Sequence, residues 1–195
     1  MIDTAPSPWV RFFPWLLGAL LIGYVTLHPF QLADAQTQSI SRDDSQLNSD
    51  SPQPSDKIAA HLYFADRSNS FLKSELRIMR QPGDPVEFGR AIIDALIKGP
   101  QKGLIRTIPD GTELSAIYID PNNVCYVDLS GPIRTKHSGG INSELLTIYS
   151  VVNSLILNVS EIKRVKILID GNEAPTLAGH INLQLPFRAN MLLIR

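Results

Sequence analysis

Residues 139–171 read GGINSELLTIYSVVNSLILNVSEIKRVKILIDG, and this stretch decides the fold. Ile141, Leu145, Ile148, Val152 and Leu155 recur at the spacing of one helix face, with Tyr149 and Ile156 widening it, so the helix needs a partner to cover that face. The opposite stripe, Ser143, Thr147, Ser150 and Ser154, keeps the same spacing with small hydroxyl side chains only. Such a stripe either tucks close under another backbone or presents a contact surface, and these four residues form the candidate interaction surface. After Asn158 the chain turns, and Val165, Ile167 and Ile169 alternate with Lys166, Leu168 and Asp170 before the Asp170-Gly171 turn. That alternation predicts a strand with one strongly apolar face. Helix and strand form one αβ unit.

Working outward, residues 61–64 and 72–79 read as two strands joined by the Asp66-Arg67-Ser68-Asn69-Ser70 loop, and Leu72, Leu76 and Ile78 share a face with Ser74. Asp84 before Pro85, with Glu87 following, reads as an N-cap, a first-turn proline and a capping carboxylate, and Gly99-Pro100 supplies the stop. A helix over about 85–98 follows, with Phe88, Ile92, Ala95 and Leu96 along one face. Residues 114–119 and 124–129 form a hairpin around Asp120-Pro121-Asn122-Asn123. Near the C-terminus, 180–183 suggests a final edge strand that Pro186 ends. The expected fold is α+β: a single compact domain in ββαββαβ order, a mixed sheet with two helices packed on one face. Residues 58–187 make up the domain and 188–195 an apolar tail whose place the sequence does not give.

The ordered set of segments resembles the sporulation and spore-germination domain, the GerMN domain. The resemblance rests on Gly139-Gly140, on the run from Glu144 to Leu155 and on Arg164 to Gly171. It extends to Leu62-Tyr63-Phe64, Glu75-Leu76-Arg77, Ala95 to Pro100, Arg106 to Thr112, Tyr126 to Ser130 and Ala178-Gly179-His180-Ile181, and covers about residues 58–187. It implies a link to sporulation or germination. It also implies a fold similar to the small α/β ring-building domains of envelope secretion complexes, which pack one domain against the next.

At 195 residues the chain has room for one ordinary domain with appendages, and its 18 basic and 19 acidic side chains balance. No basic surface is expected, which excludes nucleic acid as a partner. Residues 1–35 carry Arg11 and then an apolar run from Phe12 to Leu27, flanked by Trp9 and Trp15, and read as a membrane-directed helix. It is either a signal anchor or a signal peptide cut after Ala33-Asp34-Ala35. Both fates export the domain. No cysteine stands directly after the apolar run, so attachment through a lipid is not expected. Residues 36–57, rich in Ser, Gln, Asp and Pro, read as a disordered linker with a reach on the order of 25 Å.

The search for chemistry is short. His28, His61, His137 and His180 lack metal-ligand spacing, the glycines form no phosphate-cradling loop, and no cofactor is expected. Ser138-Gly139-Gly140 reads as a flexible turn into the helix rather than an anion site. No Gly-x-Ser-x-Gly elbow occurs. Glu144 and Asp170 are the carboxylates to inspect for paired-acid glycan hydrolysis, but a helix first turn and a turn before glycine explain them without catalysis. Cys125, between Val124 and Tyr126, reads as a buried small hydrophobe. The resulting expectation is a noncatalytic interaction or assembly module outside the cytoplasmic membrane, binding an envelope protein or itself. The alternative is a cell-wall module that binds or hydrolyses peptidoglycan.

Overall fold

The computed structural model describes residues 57–195. The membrane-directed segment and all but the last residue of the linker lie outside the described residues. Among the described residues no helix is long and apolar enough to cross a membrane.

Two strands, β1 (Lys57–Ala65) and β2 (Leu72–Arg80), pair antiparallel in the register Ala65 opposite Leu72 and Lys57 opposite Arg80. Helix α1 (Pro85–Lys98) starts where the sequence places it: the Asp84 carboxylate accepts the Val86 N–H at 3.0 Å, and the Gly99 N–H closes the last turn on the Leu96 carbonyl. At Gly89 the helix packs so closely that an added Cβ would stand 3.1 Å from the Ile117 side chain. The hairpin β3 (Leu114–Ile119) and β4 (Val124–Leu129) follows, then a one-turn helix α2 (Pro132–Thr135), then α3 (Ile141–Ile156) and β5 (Arg164–Ile169). β4 pairs antiparallel with β3 and parallel with β5, which α3 makes possible as the crossover.

The expected single mixed sheet is corrected to two sheets. The order β3-β4-β5 forms the mixed sheet, and β1-β2 stands apart as a second, two-stranded sheet. Both long helices touch both sheets, α1 reaching β1 and β3 and α3 reaching β1 and β5. One continuous apolar core results. Leu62 and Phe64 of β1, Phe88, Ile92 and Leu96 of α1, Cys125 and Val127 of β4, Ile148, Val152 and Leu155 of α3, and Val165 and Ile167 of β5 are all buried in it. α3 is buried nearly all round, not on one face only, with Leu146, Val151 and Asn153 enclosed while Ile141 is 63% exposed at its start.

The C-terminal residues belong to the folded domain. Asn190 and Asn153 exchange hydrogen bonds at 2.9 and 3.0 Å, and a 3-10 turn at Met191–Leu193 delivers Ile194 beside Leu72. The edge strand expected at 180–183 is absent. Its place beside β5 is taken by Phe187, which exchanges backbone bonds with Val165. The reason is that amides of the 177–181 segment are already spent on a carboxylate.

Candidate functional site

The stripe of hydroxyls is the first place to look. Alternation along β1 sets its neighbours. Ala65 exchanges both backbone bonds with Ile105 (3.1 and 2.8 Å), so Ala65, Tyr63 and His61 all turn their N–H and C=O away from β2. No strand meets them there. α3 does, with side chains one turn apart: Ser150 Oγ donates to the Tyr63 carbonyl at 2.5 Å and Ser154 Oγ accepts the Tyr63 N–H at 3.0 Å. Just beyond the helix end, Asn158 accepts the His61 N–H at 2.9 Å and donates to its carbonyl at 2.8 Å. A helix thus stands in for a β-strand.

Thr147 completes the seam from the other side. Its hydroxyl donates to the Thr107 carbonyl at 2.7 Å, and the Thr107 hydroxyl lies 2.7 Å from Ser150 Oγ. His137 Nδ1 accepts the Gly139 N–H, which leaves Nε2 as the donor to Thr147 Oγ1 at 3.0 Å. Burial holds the His137 pKa below the usual imidazole range, against a smaller opposing pull from the Glu144 charge. Thr147, Ser150 and Ser154 are buried, and only Ser143 is partly open, its hydroxyl against that of Ser138. The contact-surface alternative is therefore corrected for Thr147, Ser150 and Ser154, whose side chains are small because a backbone lies on them, while Ser143 stays partly open.

Glu144 lies fully buried on the same helix. Its carboxylate accepts the N–H groups of Leu177, Ala178, His180 and Ile181 at 2.9–3.1 Å, and His180 Nδ1 approaches it at 3.0 Å. Burial alone would raise its pKa, but the amides of Ala178, Ile181 and His180 and the His180 ring outweigh it and hold the carboxyl below the usual range. Asp170, in a left-handed conformation at φ 51°, accepts the Gly131 N–H at 2.8 Å, and Asp128 accepts the Gly171 N–H at 2.8 Å. Glu144 and Asp170 each serve their own set of amides and form no shared acid pair. Cys125 is buried, and burial pushes its thiol up to about 12. Among the described residues no group of His, Cys, Asp and Glu has the arrangement of a metal site.

The feature that the sequence reading missed lies on β2. Glu75, Arg77 and Met79 point inward. Glu75 accepts the Gln101 and Lys102 N–H groups and pairs with Arg77 at 2.6 Å, and Arg77 reaches the Gly99 carbonyl at 2.6 Å. Burial would raise the Glu75 pKa, yet Arg77 and those two amides bring it down overall. The apolar face of the strand points outward instead, leaving Leu76 47% and Ile78 67% exposed. By the register with β1, the backbone groups of Ser74, Leu76, Ile78 and Arg80 also turn away from the hairpin. Among the described residues only Leu72 is covered there, its carbonyl accepting the Arg195 N–H at 2.9 Å. Nothing among the described residues pairs with the remaining edge, which runs beside a shallow groove of about 460 Å³ between β2 and α1, lined by Met79, Arg80, Arg90 and Asp94 among others. The available signal was Glu75 and Arg77 alternating with Leu76 and Ile78, since an inward carboxylate and guanidinium reverse the expected faces.

The family model described as sporulation and spore germination, Germane, matches residues 61–175. The chain belongs to the Germane family. Among solved structures, the first GerMN domain of the Bacillus subtilis sporulation protein GerM is similar at TM-score 0.53 and 16% identity, over 68% of this chain and 98% of that one. The tandem GerMN domains of the same protein give TM-score 0.53 and 19% identity over 67% of this chain, which spans 46% of the tandem. A candidate lipoprotein from Clostridium perfringens gives TM-score 0.50 and 23% identity over 68% and 87% of the two chains. No curated protein matches. The Germane match runs from His61 in β1 to Pro175 past β5, so it includes both the α3 seam and the β2 edge.

Proposed function

We propose that this Germane-family chain is a noncatalytic interaction module of the bacterial envelope, held outside the cytoplasmic membrane and docking either another envelope protein or a second copy of itself. The observation that carries the reading is the open β2 edge, where two large apolar side chains are exposed and a row of backbone groups has no partner among the described residues. Monomeric proteins ordinarily blunt such an edge, because it templates pairing with another chain. The carboxylates support the same reading, since Glu75, Asp128, Glu144 and Asp170 are each committed to backbone amides. Export rests on the apolar run from Phe12 to Leu27, and the fold likeness to a candidate lipoprotein agrees with an envelope setting. The link to sporulation or germination comes through the family.

The test is photocrosslinking in the native cell with the reactive side chain at Leu76, and at the exposed Glu173, past β5, as a control away from the edge. A discrete adduct from Leu76 and none from Glu173 is expected. Equal or absent adducts from both positions would end the reading.

One observation favours a second reading, a cell-wall binder. Tyr118 and Tyr126 stack with ring centroids 4.5 Å apart, and Tyr118 is 49% exposed, which gives a small aromatic platform of the kind sugars stack on. Retention of residues 36–195 on insoluble wall, lost in Tyr118→Ala, would move the assignment there.

A further inference from the structure

The open edge has a length, a chemistry and a charge, and together they describe what fits it. Its free run is Ser74 to Arg80, because the C-terminal residue already occupies the edge at Leu72. Over that run every second residue offers both N–H and C=O outward, which only an extended backbone can match. On the exposed face, Leu76 and Ile78 follow one another at the strand period, with Arg80 next in the row. On the two strands the charge is one-sided: Lys57, Lys73 and Arg80 are exposed, while Glu75, their only acid, is buried and paired with Arg77. Asp66 lies in the loop at the far end, and in the groove beside the edge Glu87 and Asp94 are outnumbered by Arg80, Arg90 and Lys98. A second copy pairing β2 to β2 would bring these cations together, whereas an acidic strand would answer them.

Resting on the interaction-module reading above, we infer that the β2 edge from Ser74 to Arg80 takes an extended acidic segment of a partner protein by strand addition. Alternate apolar side chains of that segment cover Leu76 and Ile78, and carboxylates meet Arg80 and Lys73. Specificity then comes from charge and side-chain spacing, and attachment from the backbone ladder.

The test uses the full chain in mild detergent and three fluorescent nine-residue peptides. The first alternates Val and Thr with Glu at both ends. The second carries Lys in place of Glu, and the third keeps Glu but is N-methylated at alternate amides. The Glu peptide should bind at least about tenfold more tightly than either other peptide, and the preference should shrink as salt is raised. Lys73→Glu combined with Arg80→Glu touches only exposed side chains and should reverse the preference toward the Lys peptide. Equal binding of Glu and Lys peptides, indifference to N-methylation, or an unchanged preference in the charge-reversed variant would overturn the proposal. So would a chain that sediments as a dimer dissolved by Ile78→Lys, which would give the edge to a second copy. A defined Leu76 adduct in cells without peptide binding would leave the interaction module standing and remove only its acidic partner, while loss of both would remove the two together.

Discussion

Along β1 each outward backbone pair from His61 to Ala65 has a partner, while along β2 the pairs from Ser74 to Arg80 have none among the described residues. The two edges belong to one hairpin of nine residues a side. What closes the first is a helix with the right small side chains: Ser150 and Ser154 are short enough to let α3 approach the strand and polar enough to bond it. The second has no such neighbour, and its exposed face carries leucine and isoleucine where a finished surface would carry charge. The difference teaches that a sheet edge can be sealed by side chains as well as by strands.

The comparison breaks most visibly at Thr147. Thr147→Lys forces a long charged side chain into the buried contact with the Thr107 carbonyl, and we expect a loss of more than about 4 kcal/mol, read as unfolding by circular dichroism. Glu144→Ala comes next, because it strands several amides of the 177–181 segment; a loss on the order of 3 kcal/mol in urea titration is expected. The same carboxylate sets a pH dependence. Its folded pKa lies below its ordinary value of 4.5, so its contribution is present above that value and is lost as pH falls through the folded pKa. Urea midpoints should drop across that acidic range in the native chain and drop less in Glu144→Gln. Ser150→Ala leaves the Tyr63 carbonyl and the Thr107 hydroxyl without their partner and should cost about 1–3 kcal/mol by the same titration. Smallest is Ile78→Lys on the open edge, which should change stability by less than about 0.5 kcal/mol while abolishing the Leu76-directed adduct. A large loss there would mean that the edge is part of the core.

Local chemistry made much of this fold legible. Asp84, Pro85 and Gly99 mark the ends of α1 by capping rules that need no tertiary context, and the DPNN turn joins β3 to β4 as its residues dictate. The alternation of 165–169 likewise places β5. What stayed hidden depends on neighbours distant in sequence. The stripe on α3 has two physical solutions, water or a backbone, and only the arrival of Tyr63, some 87 residues earlier, decides between them. The edge strand expected at 180–183 was a fair reading of local pattern, but Glu144 takes the amides a ladder would use. On β2 the pattern pointed the wrong way. Its apolar alternation was a surface, because the inward positions were filled by a carboxylate and a guanidinium that satisfy each other and the loop after α1.

Cys125 gives the molecule a property of another kind. It is the only thiol in the chain, lies buried in the core near the start of β4, and burial pushes its pKa up to about 12. A soluble alkylating reagent therefore finds no nucleophile while the core is shut. The rate at which that single sulfur is labelled becomes a clock for core opening, set by a native atom and needing no engineered probe. Variants of the sealed seam should run the clock faster and variants of the open edge should leave it alone, so one chemical time constant separates the two sides of the hairpin.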